Sequence, residues 1–191
     1  RSRWRRPGRA AGSGTGAAAV ILRPGDPLLL PARPLFIAVS LLAVLSLSLL
    51  PLPRHPAWPD LLALVLVFWG VHQPRRVGIV VAFAFGLVID VHQGAVLGQH
   101  ALAYSLLSFG AVTIHRRVLW FGLAGQVLHV LPLFVLAQFV TVLVRLLVGG
   151  SYPGWALWLA PLAQAALWPL AHMLLLAPQR RPPDPDQNRP L

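Results

Sequence analysis

Six apolar runs, at 35–50, 58–71, 77–91, 96–114, 118–147 and 155–177, constrain this chain more than any other feature of its sequence. A helix of about 20 apolar residues crosses the hydrocarbon of a bilayer. In lipid every backbone polar group must be satisfied internally, so runs of this kind read as membrane helices. A secretion signal would be a single run at the N-terminus, whereas these recur along the whole sequence. With 57% hydrophobic and 11% charged residues, the chain also lies outside the range of ordinary soluble domains. The expectation is an all-α, polytopic membrane protein with one six-helix transmembrane domain over residues 28–177. Residues 1–27, rich in Arg, Gly and Ala, and the Pro-rich 178–191 are expected to be disordered tails.

The second and third runs are short for a perpendicular span and could form a re-entrant hairpin; the positive charges argue against it. All sixteen basic residues are arginine. If all six runs cross and the N-terminus is cytoplasmic, the tail, Arg75/Arg76, Arg116/Arg117 and Arg180/Arg181 share the cytoplasmic side, and only Arg54 and Arg145 fall outside. A hairpin dipping from outside would strand Arg75 and Arg76 in hydrocarbon. Both termini are therefore expected in the cytoplasm. Trp58, Tyr152, Trp155 and Trp158 then mark the outer interface and Trp69 and Trp120 the inner one. Pro132 should kink or tilt the long fifth run.

The net charge of +11 first suggests nucleic acid or anionic lipid. The arginines lie beside the ends of apolar runs and form no aromatic-interleaved basic surface, which excludes nucleic acid and leaves lipid headgroups. Zero cysteines exclude disulfides and thiolate chemistry.

One carboxylate stands out, Asp90 at the end of the third run. Counting back by fours gives Gly86, Ala82 and Gly78, a face of small residues, and the fourth run presents Gly98, Ala101, Ser105 and Ser108 on one face. Two such faces let backbones approach closely. The turn between them contains Gly94 and Gly98, and its amides can donate to Asp90. Arg145 is the expected ion-pair partner, because Gln138, Thr141 and Arg145 share a face of the fifth span that should point inward. A structural role for Asp90 is favoured over proton transfer or transport.

Asp90, His92 and His100 match no metal-ligand spacing, so no metal or other cofactor is expected. No nucleophile-elbow context and no phosphate-cradling glycine loop appears, which argues against an enzyme. His129 and His172 are read as hydrogen-bonded across helices, and His115 as a headgroup contact. Gln126, His129 and Gln164, near Pro132, are the one candidate intramembrane polar cluster. Their convergence on a cavity would favour ligand binding, and mutual hydrogen bonding would favour a scaffold.

The run from Gly86 to Leu102, GLVIDVHQGAVLGQHAL, with Gly86, Asp90, Gly94, Leu97 and Gly98 as its motif positions, resembles the motif region of the MreD family of bacterial rod shape-determining proteins. The stretch LLLPARPLFIAVSLL is similar to the N-terminus of its proteobacterial members, and the resemblance covers about residues 28–177. Residues 1–25 look unlike the family's short leader, which favours an upstream start over a functional arm.

The resemblance implies a non-enzymatic inner-membrane scaffold of the cell-elongation machinery that supports peptidoglycan synthesis. Its implied partners are MreC, contacted through its transmembrane helix, then MreB, the glycosyltransferase RodA and a class B transpeptidase. It also implies a fold like that of the substrate-binding membrane subunits of vitamin importers, and a small-molecule importer subunit is accordingly the second functional reading.

Overall fold

Six α-helices form among the described residues of the computed structural model, which are 33–51, 55 and 57–179. They are α1 (Pro34–Leu49), α2 (Leu61–His72), α3 (Ile79–Gln93), α4 (Gln99–Trp120), α5 (Leu123–Leu147) and α6 (Leu159–Leu176). A 3₁₀ turn, Trp155–Trp158, leads into α6, and another, Ala177–Gln179, ends it. The expected tails, with Arg54, Arg180 and Arg181, lie outside the described residues.

Each apolar run yields one helix, and two helical stretches, Leu123–Leu147 and Trp155–Gln179, are long and apolar enough to cross a membrane. Two boundaries differ from expectation. The fourth helix does not stop before Arg116 and Arg117 but runs through them to Trp120, and the fifth begins only at Leu123. Extended backbone at Phe121 and Gly122 makes the break, whereas two arginines are good helix formers and give the chain no reason to turn. Pro132 lies inside α5 and Pro169 inside α6.

The layers follow from α2. Every residue from Leu62 to Val71 is buried, so this helix is the centre of the bundle, packed against α1, α4 and α6. Further contacts join α3 to α4, α4 to α5 and α5 to α6. Their outward faces carry large apolar side chains, among them Leu35 and Val39 of α1, Val80 of α3, Phe109 of α4 and Leu128 of α5. An apolar exterior around an apolar core suits a lipid solvent.

Central placement also corrects one aromatic assignment. Trp69 is no interface anchor: it is fully buried, its indole N–H donates to the Ser40 hydroxyl at 2.9 Å, and Phe36 and Phe68 meet it edge-on. Trp120, by contrast, is exposed.

At 12 residues α2 is only about 18 Å long, against about 33 Å for the 22 residues of α4. The short helix leaves space at one end of its neighbours. There the C-terminal ends of α1, α3 and α5 meet the N-terminal ends of α2, α4 and α6 around a cavity of about 380 Å³. Consecutive helices therefore alternate in direction.

Candidate functional site

The polar end of the bundle is built by two carboxylates, Asp60 and Asp90, the only acidic side chains among the described residues. Each sits at a helix N-terminus, where amides without intrahelical partners and the positive end of the helix dipole favour an anion.

Asp90 is fully buried in the last turn of α3. Gly94 ends that helix at φ 59°, and Gly98 opens α4 at φ 98°, both left-handed values that favour glycine. This turn brings the first amides of α4 onto the carboxylate. Oδ2 accepts from Gly98 N–H at 2.9 Å and Ala101 N–H at 3.3 Å; Oδ1 accepts from His100 N–H and from the His100 ring Nδ1, each at 2.8 Å. Ala95 N–H donates to the Asp90 carbonyl, which closes the turn from the other side.

Arg145 is therefore not the partner of Asp90, contrary to expectation. The ion-pair contact of this carboxylate is His100, and Arg145 is exposed in the last turn of α5 with no ion pair among the described residues. Three backbone donors and one ring donor occupy the carboxylate's acceptor sites, so a guanidinium would add little there.

Close approach of α3 and α4 makes the clasp reachable. At Gly86 a Cβ would lie 2.5 Å from the Ala101 nitrogen and 2.7 Å from the His100 carbonyl carbon, so the two backbones touch at that level. Ala82, Gly86 and Asp90 are buried along α3, facing Ala101 and Ser108 of α4, also buried. Gly78, expected in the same ladder, precedes the helix, and a Cβ there would meet nothing within 4 Å. Ser105 is half-buried and donates to the Ala101 carbonyl, the Ser108 hydroxyl is buried without a hydrogen-bond partner, and Leu97 is exposed on the turn.

Asp60 caps α2 in a comparable way. Its Oδ1 accepts from Leu62 N–H at 3.0 Å and Ala63 N–H at 3.1 Å, its Oδ2 accepts the Tyr104 hydroxyl, and its carbonyl accepts Gln164 Nε2–H at 3.3 Å. One residue thus ties α2 to α4 and α6. Sequence reasoning missed this cap, whose signal is an acid ahead of an apolar run.

Gln126, His129 and Gln164 do not converge. Gln126 accepts the Trp168 indole N–H at 3.0 Å and donates to the Phe121 carbonyl; His129 bonds to the Gly125 carbonyl and stacks on Phe121; only Gln164 lines the cavity. At the other end His72 stacks on Phe68, with its ring 5.6 Å from that of His172.

The model of the MreD family, rod shape-determining protein MreD, matches residues 32–177, the stretch that holds every helix just described. This chain belongs to the MreD family. It is similar to the rod shape-determining protein MreD of Haemophilus influenzae, 30% identical over 130 residues that make up 66% of this chain and 76% of the relative. No solved structure matches. MreD is a shape-determining structural family of the bacterial cell envelope membrane and part of the MreBCD shape system, which links this chain to rod-shape determination, to MreC and to the elongation machinery.

Proposed function

We propose that this chain is a non-enzymatic scaffold of the rod machinery, held in the inner membrane by six spans with both termini in the cytoplasm. It binds the transmembrane helix of MreC and through it supports peptidoglycan synthesis by RodA and a class B transpeptidase, alongside MreB. The observation that carries this reading is the family match across the whole helical bundle. The alternation of helix direction and the predominance of arginine on one side support the six spans. The cytoplasmic arginines would also meet anionic headgroups, at about 1 kcal/mol each near the surface.

Use of Gln126 and Gln164, two of the three residues of the candidate polar cluster, supports a scaffold over an importer. Gln126 and Trp168, and Gln164 with Asp60, hydrogen-bond helix to helix, so these side chains hold the bundle together. The motif residues Gly86, Asp90, Gly94, Leu97 and Gly98 act in this reading as the clasp that fixes α3 on α4, and Ala82, Ala101, Ser105 and Ser108 as its packing face.

The test is a pull-down of the detergent-solubilised chain from its own membranes, with mass spectrometry of what is retained. Recovery of MreC with the elongation synthases is the expected result. Recovery of an energy-coupling ATPase module without MreC would replace the scaffold with an importer subunit.

A further inference from the structure

The cavity beyond the N-terminus of α2 holds polar groups that no helix contact uses. Gln138, Thr141 and Arg145, at spacings of three and four on α5, all line it; Gln138 and Thr141 are half-buried and Arg145 is exposed. The side-chain amides of Gln93, Gln99 and Gln138 make no hydrogen bond among the described residues, and Arg145 makes no ion pair there. Gln99 is buried and Gln138 half-buried, whereas Gln93 and Arg145 are exposed; polar side chains gathered around one cavity of a membrane bundle mark a functional feature. A helix-end arginine beside headgroups would account for Arg145, but not for the three glutamines that line the same cavity.

The charges are one of each sign. Asp60 lines the cavity with three donors on its carboxylate, leaving acceptor capacity for one more, and Arg145 offers a planar guanidinium whose fork matches a carboxylate. The other titratable lining groups are His55, His100 and Tyr104; the His100 ring is held by Asp90 and the Tyr104 hydroxyl donates to Asp60. A volume of about 380 Å³ is at the small end of ligand sites.

We infer that this cavity binds a zwitterionic small molecule of amino-acid or dipeptide type, with its carboxylate on Arg145, its ammonium toward Asp60 and its amide groups on Gln93, Gln99 and Gln138. A phosphomonoester carries about two negative charges, which one arginine beside a carboxylate does not balance. An apolar ligand would leave the amides of Gln99 and Gln138 buried without partners. The inference stands apart from the partners proposed above: a chain that binds MreC either has this ligand or lacks it.

Dialanine is the probe, added to the purified full chain in detergent and followed by isothermal titration calorimetry, with N-acetyldialanine, dialanine amide and inorganic phosphate alongside. Saturable binding of dialanine is expected at about millimolar concentration or below, weakened by about tenfold or more when either terminal charge is blocked. Arg145→Gln should remove the preference for dialanine over its amide, and Arg145→Lys should keep part of it. Because Arg145 is exposed, neither variant threatens the fold, and unchanged thermal unfolding without ligand verifies this. No saturable dialanine binding, equal binding of the amide, or an Arg145→Gln protein that binds as the original does would each overturn the proposal. So would Arg145-dependent binding of phosphate without binding of dialanine.

Discussion

Replacing Asp90 with alanine separates the clasp seen here from an ion pair with Arg145. Asp90→Ala removes the acceptor for three amides at the start of α4 and for the His100 ring. Loss of a helix cap costs about 0.5–2 kcal/mol, and each buried donor left unsatisfied costs about 1–3 kcal/mol, so with some water entry the total should be about 3–5 kcal/mol. That is a large part of the stability of a typical domain. Asp90→Asn keeps the shape but turns an amide NH₂ toward backbone donors, for a loss of about 1–3 kcal/mol. Arg145→Ala should cost less than about 0.5 kcal/mol, because the side chain is exposed and makes no ion pair among the described residues. The assay is reversible unfolding in mixed detergent micelles, run as double-mutant cycles. Asp90 and His100 should show a coupling of at least about 0.5 kcal/mol, and Asp90 and Arg145 none. A coupling to Arg145 as large as that to His100, or an Asp90→Ala protein as stable as the parent, would refute the clasp.

Three further outcomes follow from the same geometry. Gly86→Ala forces a methyl group against the Ala101 backbone and should destabilise by about 1–3 kcal/mol, whereas Gly122→Ala, with open space around it, should stay within about 0.5 kcal/mol by the same unfolding assay. Gly98→Ala places a Cβ at φ 98° and should cost about 1–2 kcal/mol, with faster amide hydrogen exchange at the start of α4 as its local signature. Tyr104→Phe removes the hydroxyl that reaches Asp60 and should cost about 1 kcal/mol; a cycle with Asp60→Asn in which the two losses simply add would disprove that contact.

The six helices were legible because apolar runs in lipid must be helices, and their number survives small errors at the ends. Which helix lies inside was not legible. The α2 run LLALVLVFWGV is apolar all round, and the outer helices carry large apolar side chains on their exposed faces too, since lipid and protein interior reward the same side chains. The break at Phe121 and Gly122 was hidden for a related reason: apolar residues continue across it, and the arginines before it looked like a loop. For Asp90, its place on the small-residue face and the donor-rich turn were readable from spacing. Its charged partner was not, because Arg145 carries the full positive charge, whereas the turn set by Gly94 and Gly98 brings the His100 ring onto the carboxylate. The bond from Trp168 to Gln126 joins residues 42 apart and leaves no periodic trace.

Both acids of the described chain are spent on helix N-termini at one end of the bundle, and that end also holds the cavity. The opposite end is held differently, by Phe68 against His72 and Trp168 and by Phe36 against Trp69. Aromatic contacts tolerate small displacements, whereas a capped helix start has its direction fixed by several bonds at once. His100 joins the two features of the polar end, since it closes the Asp90 clasp and lines the cavity. In the six-span arrangement proposed above this end faces away from the cytoplasm, toward the cell wall. A perturbation of the α3–α4 clasp should therefore reach the cavity, which Gln93, Gln99 and His100 line, while the opposite end keeps its place.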